Sequence, residues 1–227
     1  MADTLTILSA GAVKPGLTKV IEAFQRDGAI EVRVSFATAP ALLEQIGTDE
    51  APDVVIAPTD TLEKLTRSGK CSARETAVLG RIGVGVLVRS SEPSPKIATV
   101  ADFKRSLLDA EGIVYNQAST GTYLENLFET LSIAPSVKNK TTRYPDFAAV
   151  LDHVSKGTCR EIGFGATTVI IENQSQGVKF AGTLPEQIQN YTTYVAAAML
   201  DNENAKKFIT WLSLPAARSL LTAAGIQ

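Results

Sequence analysis

Three strand-to-helix junctions in this chain carry proline just where a helix would start: Lys14-Pro15, Ala39-Pro40 and Tyr144-Pro145. A fourth, Asn116-Gln117-Ala118-Ser119-Thr120-Gly121, offers capping hydroxyls and a glycine instead. Proline suits the first helical position because its missing N–H would be unpaired there anyway, and it drives the preceding residue into an extended conformation. A helix N-terminus presents free N–H groups and the positive end of the dipole, so several of them converging would hold an anion. Any one such proline does no more than stop one element and start the next. Four junctions divided between two parts of the chain point to anion binding.

Other polar residues are open to two readings. Lys14 could reach an anion at its helix terminus or be a surface charge, and Arg143 and Tyr144 could be loop contacts or solvent-exposed. Asn116 and Gln117 could donate side-chain amides to a ligand or bond their own turn. His153 is the only histidine, beside Asp152, and is expected as a solvated helix residue; with no second histidine, neither a metal cluster nor a Ser-His-Asp triad can be completed in the usual way. Cys71 and Cys159 have no partner spacing and read as free thiols, and Trp211 reads as core. Gly83 and Gly85 open no helix and make no dinucleotide fingerprint. The junctions offer no carboxylate pair and no nucleophile beside a base, so no catalytic residue, metal ligand or cofactor is expected.

The elements that must position these junctions alternate. Thr4–Ser9, Val32–Phe36 and Asp53–Ala57 read as strands, and helical patterns follow each of them: Pro15 to about Arg26 with Leu17, Val20, Ile21 and Phe24 at helical spacing, Pro40–Ile46, and Leu62–Ser68 closed by Gly69. This βαβα rhythm implies a mostly parallel sheet with helices on both faces. Arg81–Arg89 and Gln189–Leu200 are long and strand-like. They bracket a block with its own pattern: helix 101–110, strand 112–115, a helix from Thr120 or Gly121 to about Leu131, helix 145–156 ended by Gly157, and a strand from Glu161. Two helices close the chain, 203–212 capped by Asn202 and 215–224. A chain that leaves one lobe and returns to it gives two lobes with two crossings: 1–82 plus 196–227, and 83–195, with hinges near 81–89 and 189–200.

Composition narrows the function. The chain has 227 residues, 44% of them hydrophobic, and a net charge of −2, enough for a sizeable core and unsuited to phosphate-backbone binding. The longest apolar runs, Val54–Ala57 and Val195–Leu200, are of strand length, so no membrane insertion is expected. Met1, Ala2 and Asp3 lead straight into an apolar strand without a charged export region. The expectation is a cytoplasmic protein, or an exported one whose signal has been removed.

The chain resembles the substrate-binding proteins of molybdate and tungstate ABC transporters nearly end to end. The resemblance rests on Leu5–Ala12 (LTILSAGA), Ser35–Ile46 (SFATAPALLEQI), Pro52–Pro58 (PDVVIAP), Gly83–Lys104 (GVGVLVRSSEPSPKIATVADFK), Ser119–Leu124 (STGTYL) and Lys156–Gly165 (KGTCREIGFG). It implies an α/β, two-lobed type II periplasmic-binding-protein fold, each lobe a mostly parallel sheet flanked by helices, joined by two crossing strands. It also implies a periplasmic location, an ABC permease as partner, and an oxyanion held in the interlobe cleft. Family ligand positions fall at Ala12, Ala39, Thr120, Phe147 and Phe164. The first two are normally serines whose hydroxyls donate to the oxyanion, and a tyrosine is normal near position 164. Hydrogen bonds to charged groups contribute about 1.5–3 kcal/mol each, so losing two or three costs roughly 3–9 kcal/mol, or at least about 10²-fold in affinity. The resemblance therefore implies a site poorer in donors and more apolar than a molybdate site, suited to a small organic acid with Phe147 and Phe164 against its body. Junctions and resemblance together give the candidate binding set Gly11, Ala12, Val13, Thr38, Ala39, Asn116, Ser119, Thr120, Gly121, Phe147 and Phe164.

Three functions compete: a monomeric solute-binding protein that closes on a small anion by hinge motion, an enzyme on the same fold, and an intracellular ligand sensor acting through a partner protein. The first accounts for the junctions without demanding a catalytic group.

Overall fold

Strands β1 (Thr4–Ala10), β2 (Glu31–Ala37) and β3 (Val54–Pro58) are each followed by a helix: α1 (Lys14–Gly28), α2 (Ala39–Thr48) and α3 (Thr59–Arg67). In the computed structural model, which describes residues 4–28, 30–48, 51–71, 75–199 and 202–227, β1 pairs in parallel with both β2 and β3. Met1, Ala2, Asp3 and Leu200 lie outside the described residues. Every residue of β3 is buried, as befits a strand covered on both faces. The α1 face predicted from helical spacing, Leu17, Val20, Ile21 and Phe24, is buried. Phe24 meets Phe208 edge-on at 5.1 Å and Trp211 at 5.8 Å, both on α9 (Glu203–Leu212). Trp211 is half-buried, at the rim of that core and not inside it. Asn202 caps α9 as expected, accepting from Asn204 N at 2.8 Å, and donates to Asp53 at 2.6 Å. The second Asp53 oxygen accepts from Thr6, so one carboxylate ties β1 to α9.

The chain divides into two compact units, Met1–Ile82 with Thr192–Gln227, and Gly83–Tyr191. It passes between them within β4 (Thr76–Arg89) and at the start of β9 (Tyr191–Ala198), which pairs antiparallel with β3 in the first unit. The helix α10 (Pro215–Ala223) and the last residues complete that unit; Gln227 exchanges both main-chain hydrogen bonds with Arg81. Gly80 lies at φ 138°, and a Cβ there would come within 2.6 Å of the Gln227 carbonyl oxygen.

In the second unit β5 (Gly112–Asn116) pairs in parallel with β6 (Thr141–Tyr144) and β7 (Glu161–Ala166), while β4 runs antiparallel to β7 and to β8 (Val178–Thr183). Side chains alternate between two cores, as a sheet covered on both faces requires. Val86, Ile113, Tyr115 and Phe164 join Phe103 and Leu107 of α4 (Val100–Asp109) and Leu124, Leu127 and Phe128 of α5 (Ser119–Thr130). Leu87 and Val114 turn to the other face, against Val150, Leu151 and Val154 of α7 (Phe147–Lys156) and Ile170 of α8 (Thr167–Glu172). The short helix α6 (Ala134–Val137), β6, α8 and β8 go beyond the elements read from sequence.

Two sequence expectations are corrected here. Pro145 does not open α7: Asp146 is the N-cap, accepting from Ala149 N at 2.9 Å, and the helix begins at Phe147. Nor is His153 a solvated residue. Its side chain is 28% exposed and that of Glu161 13%, and the ring bridges Tyr144 Oη at 2.6 Å through Nδ1 and Glu161 Oε1 at 2.7 Å through Nε2. A neutral ring accepting from the phenol and donating to the carboxylate satisfies both bonds. Tyr144 and Glu161 are half-buried on the α7 face of the sheet, and His153 is the helix residue that bridges them. Arg89 closes the end of α7, donating to the carbonyls of Gly157 and, at 2.7 Å, Cys159.

Two outcomes follow for stability. Gly121 packs so tightly on the end of β5 that a Cβ would run into the Asn116 carbonyl oxygen, so Gly121→Ala is expected to cost about 1–3 kcal/mol or more, seen as a lowered urea midpoint. His153→Ala leaves both Tyr144 and Glu161 without their partner and is expected to cost about 1–3 kcal/mol. A midpoint equal to wild type in either variant contradicts the packing or the bridge described.

Candidate anion-binding site

Parallel pairing collects the junctions. In the first unit Ala10 stands opposite Ala37, so the turn Gly11–Val13 and the start of α2 at Thr38 and Ala39 leave the sheet side by side at the carboxyl ends of their strands. Gly11, Ala12, Thr38 and Ala39 are half-buried; Val13 is fully buried and offers only its main chain. The first turns of α1 and α2 contain no acidic residue, whereas α3 beside them carries Asp60. The positive ends of α1 and α2 are thus uncompensated by local carboxylates. Lys14, exposed at the start of α1, holds its ammonium 5.7 Å from the centre of the Phe36 ring at the end of β2.

In the second unit Asn116–Gly121, Tyr144–Phe147 and Ala166–Thr167 share the carboxyl end of β5, β6 and β7. Gln117 N donates to Tyr144 O at 2.9 Å and fastens the first two junctions together. The Asn116 side chain, 8% exposed, accepts from Ala118 N at 3.3 Å, so its oxygen serves its own turn. The N-cap of α5 is Ala118, with no side-chain cap, and its first turn has no acid. Its leading N–H groups therefore lack intrahelical partners. The Ser119 and Thr120 side chains are half-buried beside them. The end of α7 differs, because the Asp146 carboxylate already occupies it.

The two aromatic positions separate. Phe147 is half-buried, its ring resting on Gly165 where any Cβ would collide with it. Phe164 points to the opposite face of β7, fully buried and edge-on to Phe103 at 6.1 Å. It is core, and its side chain presents no surface to a ligand, because period-2 alternation puts Gly163 and Gly165, not Phe164, on the α7 side. Arg143 pairs with Glu125 at 2.7 Å. Both lie near the Tyr115 phenol, which burial pushes up to about 12, Glu125 adding to the rise and Arg143 opposing it.

These ends can bind negative charge through main-chain N–H groups and hydroxyls. Among the described residues no group of three or more His, Cys, Asp or Glu side chains could hold a metal ion, and no helix is long and apolar enough to cross a membrane. An open hollow of about 590 Å³ in the second unit, walled by Ile97, Asp102, Thr183 and Glu186, contains none of the candidate binding residues.

The profile of a family described as bacterial extracellular solute-binding protein matches residues 5–227. A Pseudomonas protein named aconitate isomerase is 26% identical over 237 residues, covering 99% of this chain and 87% of that protein. The periplasmic molybdate-binding protein of Azotobacter vinelandii superposes with a TM-score of 0.79 at 17% identity, over 98% of both chains. PEB3 with L-phospholactate bound superposes with a TM-score of 0.75 at 13% identity, over 97% of this chain and 98% of that one; PEB3 is a Campylobacter jejuni protein. The structural likeness gives the fold, that of type II periplasmic binding proteins. The chain belongs to the bacterial extracellular solute-binding proteins.

Proposed function

We propose that this protein binds a small organic acid through its carboxylate groups, as the monomeric, periplasmic substrate-binding component of an ABC transporter. The observation that carries the reading is the charge pattern at the helix starts. The helices α1, α2 and α5 begin at carboxyl strand ends without an acid in the first turn, while α3, α4 and α9 begin with Asp60, Asp102 and Glu203. Among the described helices of eight or more residues that follow a strand, α1, α2 and α5 alone start without an acid in the first turn or at the N-cap; six-residue α8 and α10, which follows α9, are also acid-free.

The donor set favours a carboxylate over a tetrahedral oxyanion. Alanine at 12 and 39 offers main-chain N–H groups only, and Phe164 is core, so three side-chain donors of a molybdate site have no counterpart. Half-buried Phe147 gives the carbon skeleton of an acid something to pack on. The names of two relatives, aconitate isomerase and PEB3 with L-phospholactate, put small organic acids among the ligands of this fold.

A second reading is an isomerase acting on the same class of acid, favoured by the aconitate isomerase relative. The two readings share a binding step and differ in whether the acid is changed.

Calorimetry with molybdate, tungstate, citrate and cis- and trans-aconitate tests the proposal. An organic acid is expected to bind at least about 10²-fold more tightly than molybdate. Tight molybdate binding with no heat from the acids would refute it. Thr120→Val, which removes a hydroxyl beside the open end of α5, should weaken binding of that acid by roughly ten- to hundredfold. Proton NMR of trans-aconitate incubated with the protein separates the two readings: an unchanged spectrum supports transport, and appearance of the cis isomer establishes the enzyme.

A further inference from the structure

We infer that Lys14 is the specificity-determining cation of the site, supplying the charge that pairs with a ligand carboxylate in place of the serine hydroxyls missing at positions 12 and 39. The inference rests on the proposed binding of an organic acid and names the group that makes a charged carboxylate obligatory.

The location is unusual for a surface lysine. Lys14 opens α1 directly after the Gly11–Val13 turn, and only Ala37 separates Phe36 from the Thr38–Ala39 start of α2. The ammonium of the residue that opens α1 thus lies above the Phe36 ring, on the strand that leads into α2. A cation within about 6 Å of a ring centroid is attracted to the ring face, which limits the positions the long side chain visits. Among the described residues no carboxylate pairs with Lys14, although seven other cationic side chains do form ion pairs: Arg33, Arg67, Arg89, Arg143, Lys156, Arg160 and Lys206. An aromatic ring holds the charge without neutralising it. The positive ends of the α1 and α2 dipoles leave the sheet side by side, so they add to the charge of the ammonium and favour an anion beside it. Phe36 lies opposite Ser9 in the sheet and is itself half-buried, which makes it a fixed seat.

Titrating wild-type protein and variants with cis- and trans-aconitate at low and high salt tests the assignment. Lys14→Met is expected to weaken binding of the preferred isomer by about ten- to hundredfold and to flatten its salt dependence, since loss of a charge removes a screened interaction. Lys14→Arg should restore most of the affinity, Phe36→Leu should give an intermediate loss, and Lys19→Met, on the exposed side of the same helix, should behave as wild type. Lys14→Met binding within twofold of wild type, with the same salt slope, overturns the assignment and leaves the organic-acid reading standing. No heat from the wild-type protein with any acid overturns both.

Discussion

The orientation of helix dipoles against a parallel sheet is the constraint on which this protein depends. A strand followed by a helix returning over a parallel sheet must start that helix at the carboxyl end of the strand, so every βα unit delivers positive potential to the same edge. The sequence then decides which of those ends stay uncompensated. Acids are absent from the first turns of α1, α2 and α5, whereas α3, α4 and α9 carry one there and α7 has Asp146 as its N-cap; the short α8 and the C-terminal α10 also start without an acid. The negative ends are treated in the opposite way. In the second unit Lys140 donates to Leu108 O and Ala110 O at the close of α4, Lys104 to Leu131 O at the close of α5, and Arg89 to Gly157 O at the close of α7. Each cation comes from a different element than the helix it caps. Neutralised negative ends and the open positive end of α5 leave the second unit polarised towards the carboxyl edge of its parallel strands, at little cost to folding, because each side chain also satisfies carbonyls that would otherwise be unpaired.

The cost of this arrangement appears on the α7 face of the second unit, where polar side chains lie beneath the C-terminal half of the helix. Tyr144, His153 and Glu161 form one chain of bonds beneath α7, and Arg89 ties the helix end to Glu92 and two carbonyls. The bonding is incomplete: Glu161 Oε2 and Arg89 Nε are buried without partners among the described residues. Both side chains lie beside Gly157, where a Cβ would run into Glu161 Oε2. The network holds α7, and with it Phe147, in register with β7, since Phe147 stacks on Gly165 at the far end of the same face. A fully apolar face would pack as well but would specify the sliding position of the helix less sharply.

Much of this was legible in the residues. Periodicity located the three βα units of the first lobe, the α1 core face and the Asn202 cap, because those segments are long and their local preferences agree with their final environment. Where the two disagree the reading failed. Thr167–Glu172 contains Thr, Val and Ile, a strand-like composition, yet it forms a helix because β7 has ended and its apolar residues must return to the α7-side core. Four-residue β6 is too short and polar to signal itself, and only its pairing with β5 fixes it. Pro145 looked like a helix start, but the stronger signal was Asp146, a capping carboxylate one residue on. His153 looked solvated because its partners, Tyr144 and Glu161, are 9 and 8 residues away and meet it only in the folded unit. Phe164 shows the limit of carrying a position across a resemblance: alignment can place a residue on the right strand and still not reveal which face it occupies.

That last point bears on ligand chemistry. Replacing a tyrosine donor by a core phenylalanine at β7 and serine donors by alanine at two helix starts removes side-chain hydrogen bonds while leaving the main-chain N–H groups and dipoles in place. Hydroxyls arranged around a tetrahedral anion discriminate by geometry; dipoles and a seated lysine discriminate by charge. A site of the second kind tolerates variation in the body of its ligand and demands a carboxylate. Under that proposal the second unit offers further selectivity through Phe147, whose ring rests on Gly165, and through Ser119 and Thr120, half-buried at the start of α5. An aromatic face and hydroxyl groups distinguish acids by the shape and polarity of their carbon skeleton, so substitutions at these positions would change the preferred acid without altering the fold.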